Sequence, residues 1–156
     1  MRITKYFVEL EDKKNILVKE SSKNYPQVSQ LNSADKVTNM MNDCFNANAK
    51  AEEYVWLLAM DSKCHLIGVF EVSHGAVNFS VIRAREIFVR LCLCGAASFI
   101  LVHNHPSGDI TPSKQDIDVT LKIKNASEIM DISMLDHIII GGEQYYSFNE
   151  HQIIKY

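Results

Sequence analysis

Ser98-Phe-Ile-Leu-Val-His103-Asn-His105-Pro-Ser-Gly-Asp109-Ile-Thr-Pro-Ser113-Lys-Gln-Asp116 passes through three kinds of local structure in a single stretch. Ser98–Val102 is a short, continuous apolar run, the pattern of a buried strand. It ends at His103. Pro106, Gly108 and Pro112 break any regular element and mark a loop over 107–112. Ser113 is a good N-cap, so a helix is predicted from there to about Asp131. A buried strand that runs through a turn into a helix points to an α/β architecture.

The flanking sequence extends this pattern. Ile3–Leu10 and Asn15–Lys19, split by Glu-Asp-Lys-Lys, predict a hairpin. Ser21–Leu31 is polar, contains Pro26 and reads as a loop. A helix is expected from Ser33 to about Asn46, with Val37, Met40, Met41 and Cys44 at 3–4 spacing. Tyr54–Asp61 and Cys64–Val72 predict an antiparallel strand pair, broken by Ser73-His74-Gly75. Ala84–Cys94 has a helical pattern, with Ile87, Phe88, Leu91 and Cys92 on one side and Gly95 as terminator. Leu135–Ile140 predicts another buried strand closed by Gly141-Gly142, and Tyr145–Ser147 and His151–Ile154 finish the chain. Residues 1–49 form a hairpin and helix belonging to the same domain as a core over 50–156. The fold class is α/β, with a mixed sheet and helices packed on it.

Composition bounds the function. A chain of 156 residues buries roughly 70% of its unfolded surface and needs neither disulfide nor structural metal to fold. A bound metal would therefore serve chemistry. The net charge of -3 argues against a protein whose main task is gripping phosphates, although a local basic patch remains open. Lys5, Lys13, Lys14, Lys19 and Lys23 are interleaved with Glu9, Glu11, Asp12 and Glu20, as on a solvated hairpin. Cys44, Cys64, Cys92 and Cys94 form no C-x-x-C pattern and read as reduced structural residues. There is no signal-peptide core, and the apolar stretch Leu91–Val102 is too short to span a membrane. A cytoplasmic protein is expected.

The candidate chemistry lies at the strand end. Residues i and i+2 of a strand point to one side, so His103 and His105 can face one ion. Asp116 falls in the first turn of the next helix, where the helix dipole favours a carboxylate. Two imidazoles and a carboxylate suit a catalytic zinc with a fourth position open. Ser113-x-x-Asp116 also matches a capping box, so both residues can simply close the helix N-terminus. The two roles are compatible. Asp109 and Ser107 read as loop-shaping residues. His137 can orient a ligand or be a satisfied core histidine.

The string from His103 to Asp116 reads H-x-H, seven residues, then S-x-x-D. It resembles the metal motif of JAB/MPN (JAMM) metallopeptidase domains, and in full length it resembles the bacterial RadC family. Further similarity runs from Gly75 through Arg83-Ala-Arg-Glu-Ile87 to Leu135-Asp-His-Ile-Ile-Ile140, covering about residues 50–155. The resemblance implies a single JAB/MPN-like domain with a mixed, mostly antiparallel sheet flanked by helices, a cytidine-deaminase-like architecture. It also implies one Zn2+ per chain on His103, His105 and Asp116, and hydrolysis of an amide or isopeptide bond in a peptide or protein, a ubiquitin-like tail included.

JAMM domains place a glutamate from a neighbouring strand beside the attacking water, and the matching position is Glu71. Glu71 is a charge in an otherwise apolar run; it can also alternate to the solvent face. Glu52 and Glu53, at the edge of a polar stretch, are weaker candidates. Ser113 is implied as the hydrogen-bond donor to the oxyanion. Two departures stand out. Met1–Ala49 does not look like the helix-hairpin-helix region of full-length RadC proteins, and Arg83-Ala84-Arg85-Glu86 replaces the usual His-Pro-Arg-Glu. The competing function is a non-catalytic or DNA-repair-associated binding module. Zinc deaminases require H-x-E and P-C-x-x-C, and neither is present.

Overall fold

β5 (Ser98–Asn104) is buried along its whole length, as expected of a strand covered on both faces. Around it the computed structural model describes residues 1–75 and 82–154. Before β5 come β1 (Arg2–Glu11), β2 (Lys14–Asn24), α1 (Ala34–Phe45), a 3₁₀ turn (Ala47–Ala49), β3 (Tyr54–Met60), β4 (Leu66–His74) and α2 (Ala84–Cys94). After it come α3 (Lys114–Met130), β6 (Ser133–Gly141) and β7 (Gln144–Ser147). The strands form one seven-stranded sheet in the order β2-β1-β4-β3-β5-β6-β7. β1–β4 and β5–β6 are parallel; the other neighbours are antiparallel. The architecture is the mixed, mostly antiparallel sheet with flanking helices that the motif implies.

Alternation along the strands divides the core in two. Trp56, Leu58, Val69, Ile100 and Val102 meet α1 through Val37, Met40 and Met41. Val55, Leu57, Phe70, Phe99 and Leu101 meet α2 and α3 through Ile87, Leu91, Val119 and Ile123. Sequence parity on β5 therefore decides which layer a residue faces. His103 continues the Leu101 series toward α3, and Asn104 continues the Val102 series toward α1.

Several boundaries differ from the expectation. β2 runs to Asn24 because Lys23 and Asn24 pair with Ile3 and Arg2 beyond a bulge at Lys5/Tyr6; a polar edge strand lacks the apolar alternation that sequence reading looks for. β4 continues to His74, which pairs with Tyr54. His151–Ile154, left without an assigned element by the sequence, forms turns and bends. Cys92 is exposed on α2, while Ile87, Phe88 and Leu91 make its buried side. The part of the family-like segment between Gly75 and Arg83 that covers 76–81 lies outside the described residues. Among the described residues no helix is long and apolar enough to cross a membrane.

Candidate metal centre

Three elements converge at the C-terminal end of β5. His103 is the penultimate residue of that strand and is 1% exposed. His105 follows it, its backbone N–H held by the Ile140 carbonyl of β6 at 2.8 Å. The loop then returns over Gly141, where an added Cβ would come within 2.5 Å of the Gly108 carbonyl oxygen. α3 starts at Ser113, whose hydroxyl accepts from the Asp116 N–H, and Asp116 reaches back to the Ser113 N–H. The capping box and the carboxylate of the motif are thus one structure.

The ligand atoms face each other. His103 Nε2 and His105 Nε2 are 3.0 Å apart. Asp116 Oδ1 is 3.5 Å from the first and Asp116 Oδ2 is 3.7 Å from the second. Tetrahedral ligands about 2.05 Å from zinc sit about 3.3 Å from one another, so the set matches a zinc-sized gap. His105 Nδ1 lies 2.6 Å from the Asp109 carbonyl oxygen, which can only accept; His105 therefore holds its proton on Nδ1 and leaves Nε2 as a ligand. Asp116 is 3% exposed. Its Oδ2 accepts from the Ser113 N–H at 2.7 Å and the Ser113 hydroxyl at 2.6 Å. Among the described residues no Lys or Arg pairs with it. A carboxylate buried without a basic partner is costly unless a cation neutralises it. Burial, aided by His137 and His105, pushes the His103 pKa well below the ordinary histidine value, which keeps that ring neutral and available as a ligand. His103, His105 and Asp116 could together hold a metal ion.

Beside this group is a polar cavity of about 280 Å³, lined by Glu53, His105, Ser107, Asp109, Ser113 and Asp116 among others. Ser107 and Asp109 shape the loop as expected: Ser107 Oγ accepts from the Asp109 N–H and Asp109 Oδ1 from the Thr111 N–H. Ser113 lines the wall, with its hydroxyl proton directed at Asp116.

Glu71 does not join the group. Its register partner is Trp56, which pairs in turn with Val102, so it lies on the α1 face of the sheet, opposite His103. Its carboxylate meets Lys5 Nζ at 3.3 Å and His74 Nδ1 at 2.7 Å. The carboxylate in the cavity wall is Glu53, one of the two weaker candidates. Val55 pairs with His103, and Glu53, two residues earlier, shares its parity. Burial pushes the Glu53 pKa up; His105 pulls it down and Asp116 adds to the rise. Asn104, between the two histidines, fixes this segment from the other face. Its Oδ1 accepts from the Tyr54 N–H at 2.8 Å and its Nδ2 donates to the Glu52 carbonyl at 3.0 Å. The same strand parity that separates Glu53 from Glu52 was the available signal, but it needs the β3–β5 register to be used.

A buried sheet that presents two histidines and a helix-borne aspartate beside a polar cavity defines a candidate metal-binding α/β domain. The family model described as the RadC-like JAB domain matches residues 31–153, and the chain belongs to that family. It is 47% identical over 102 residues to a UPF0758 protein of Pelobacter propionicus, covering 65% of this chain and 44% of the relative. It is 40% identical over 107 residues to a UPF0758 protein of Clostridium beijerinckii, covering 69% and 47%. It is 39% identical over 119 residues to a UPF0758 protein of Geobacter sulfurreducens, covering 76% and 51%. The chain thus spans about half the length of these curated relatives.

Proposed function

We propose that this domain is a zinc-dependent hydrolase of amide or isopeptide bonds, acting on a peptide or protein and binding one Zn2+ per chain through His103, His105 and Asp116. The observation that supports it most is the convergence of two imidazole nitrogens on a buried carboxylate that, among the described residues, pairs with no Lys or Arg. When bound, such an ion supplies Lewis acidity and lowers the pKa of a coordinated water to about 7.

The chain's own residues supply the rest. Glu53 accepts the proton of the attacking water and passes it to the leaving amine. Its support is its place in the cavity wall with His105 and Asp116 and a pKa pushed upward by burial. Ser113 turns its hydroxyl from Asp116 to the developing oxyanion, a contribution of about 3 kcal/mol. Asp116 Oδ2 also accepts from the Ser113 backbone N–H at 2.7 Å, a contact that does not depend on the hydroxyl.

Metal analysis of the purified protein tests the proposal directly. About one equivalent of zinc is expected, with loss on changing His103→Ala or His105→Ala. Protein that takes up no zinc, or a double variant that retains it, would overturn it. Tight DNA binding at near-physiological salt by a metal-free double variant would instead favour a binding module.

A further inference from the structure

Behind His103 lies a run of polar contacts that the H-x-H motif does not include. His137 of β6 is 0% exposed and stacks on Phe148 with ring centroids 4.7 Å apart. Its Nε2 is 2.8 Å from His103 Nδ1. Its Nδ1 is 2.6 Å from Thr120 Oγ1. Thr120 Oγ1 also donates to the backbone carbonyl of Asp116, one turn earlier in α3.

Donor and acceptor inventory fixes the direction of this chain. A carbonyl oxygen only accepts, and a threonine has one hydroxyl proton. That proton goes to Asp116, so Thr120 Oγ1 accepts from His137, which carries its proton on Nδ1. His137 Nε2 is then the acceptor for His103 Nδ1–H. A neutral His103 is left with a bare Nε2, which faces the likewise bare His105 Nε2 at 3.0 Å and the Asp116 carboxylate, an arrangement of lone pairs that calls for a cation between them. The opposite direction would put a proton on His103 Nε2 and block a ligand position.

We propose that Thr120 and His137 are positioning residues that lock His103 in the Nδ1–H tautomer and so prepare the site for a divalent metal ion. The inference rests on the metal-centre reading above. Outer partners of metal-bound histidines fix tautomer and ring orientation in this way. The arrangement closes on itself: Asp116 supplies its carboxylate to one end of the run and its main-chain carbonyl to the other, so one helix turn sets both.

Two measurements test it. Zinc affinity is obtained by competition with a chromophoric chelator for the wild type, Thr120→Val and Thr120→Ser. The valine variant, nearly isosteric but without a hydroxyl, is expected to bind roughly 10- to 100-fold more weakly; serine is expected to restore binding. Nitrogen-15 NMR of the metal-free protein reads the tautomer of His103 directly. Nδ1–H is expected in the wild type and the serine variant, and a mixed population in Thr120→Val. A folded valine variant with wild-type affinity overturns the inference, as does a proton on His103 Nε2 in the wild type. The NMR result decides even if Thr120→Val does not fold. A wild type that binds no zinc sinks the metal-centre reading separately, and the tautomer still judges this one.

Discussion

His103 and His137 are held out of solvent as neutral rings. Burial, with nearby His105, pushes the His137 pKa down to about 3, and His103 also lies well below its usual 6.5. The unfolded chain, whose histidines titrate near 6.5, therefore binds more protons than the metal-free fold below that pH. Stability must fall as pH drops from about 6.5 toward the folded values. Each ring contributes up to about 1.4 kcal/mol per pH unit in that window. Urea denaturation of metal-free protein at pH 7, 6 and 5 checks this; a flat profile would contradict neutral burial. A second contrast concerns the two glutamates. Glu53→Gln is expected to keep its zinc and lose about 100-fold or more in amide hydrolysis. Glu71→Gln is expected to leave turnover and zinc unchanged, with about 0–1 kcal/mol lost from its contacts to Lys5 and His74. His103, His105 and Asp116 were legible in the sequence because their spacing survives without a fold. Glu71 stood out through its match to the family's upstream glutamate and as a lone charge in an apolar run, and neither signal fixes which way its side chain faces. Glu53 was hidden in a polar stretch, since its direction depends on which residue of β5 its strand pairs with.

At the scale of elements, the loop between β5 and α3 is seated by the absence of a side chain. A Cβ on Gly141 would meet the Gly108 carbonyl at 2.5 Å and Ile110 Cγ2 at 2.8 Å. Gly141→Ala should cost about 1–3 kcal/mol through overpacking and weaken zinc binding by displacing the ligand loop. Gly142 is a useful control: its φ is +59° and nothing lies within 4 Å of an added Cβ. Gly142→Ala should cost about 1–2 kcal/mol in backbone strain and leave zinc affinity unchanged. Thermal melts and metal titrations of the two variants separate these effects; equal zinc affinity in both would rule out the loop-seating role. The helices were readable because α1 and α3 have strong caps, Ser33 and Ser113. The end of β2 was not, because an edge strand of Lys and Ser residues satisfies its backbone without any hydrophobic alternation.

Across the whole molecule, the sheet is unevenly anchored. The β1–β2 hairpin pairs with the rest of the sheet through only a two-pair parallel register, Lys5–Val69 and Tyr6–Phe70, supplemented by the Lys5–Glu71 ion pair, by Ile3 and Leu17 in the core, and by Tyr6, whose ring lies where a Cβ on Gly68 would be. β3, β5 and β6 instead share long registers and two packed layers. Hydrogen exchange should therefore show residues 2–24 opening at lower free energy than 54–60, 98–104 and 133–141; equal protection would refute it. The amide of Asn104 has a different kind of consequence, for chain length. By gripping the main chain at Glu52 and Tyr54, it makes that short interval a fixed gauge. Added residues at the turns 12–13 or 61–65 leave it untouched. A single residue inserted between Glu53 and Tyr54 would turn Glu53 away from the face that His103 occupies. Related chains that keep the cavity should thus differ in length at those turns and stay gapless across 52–54.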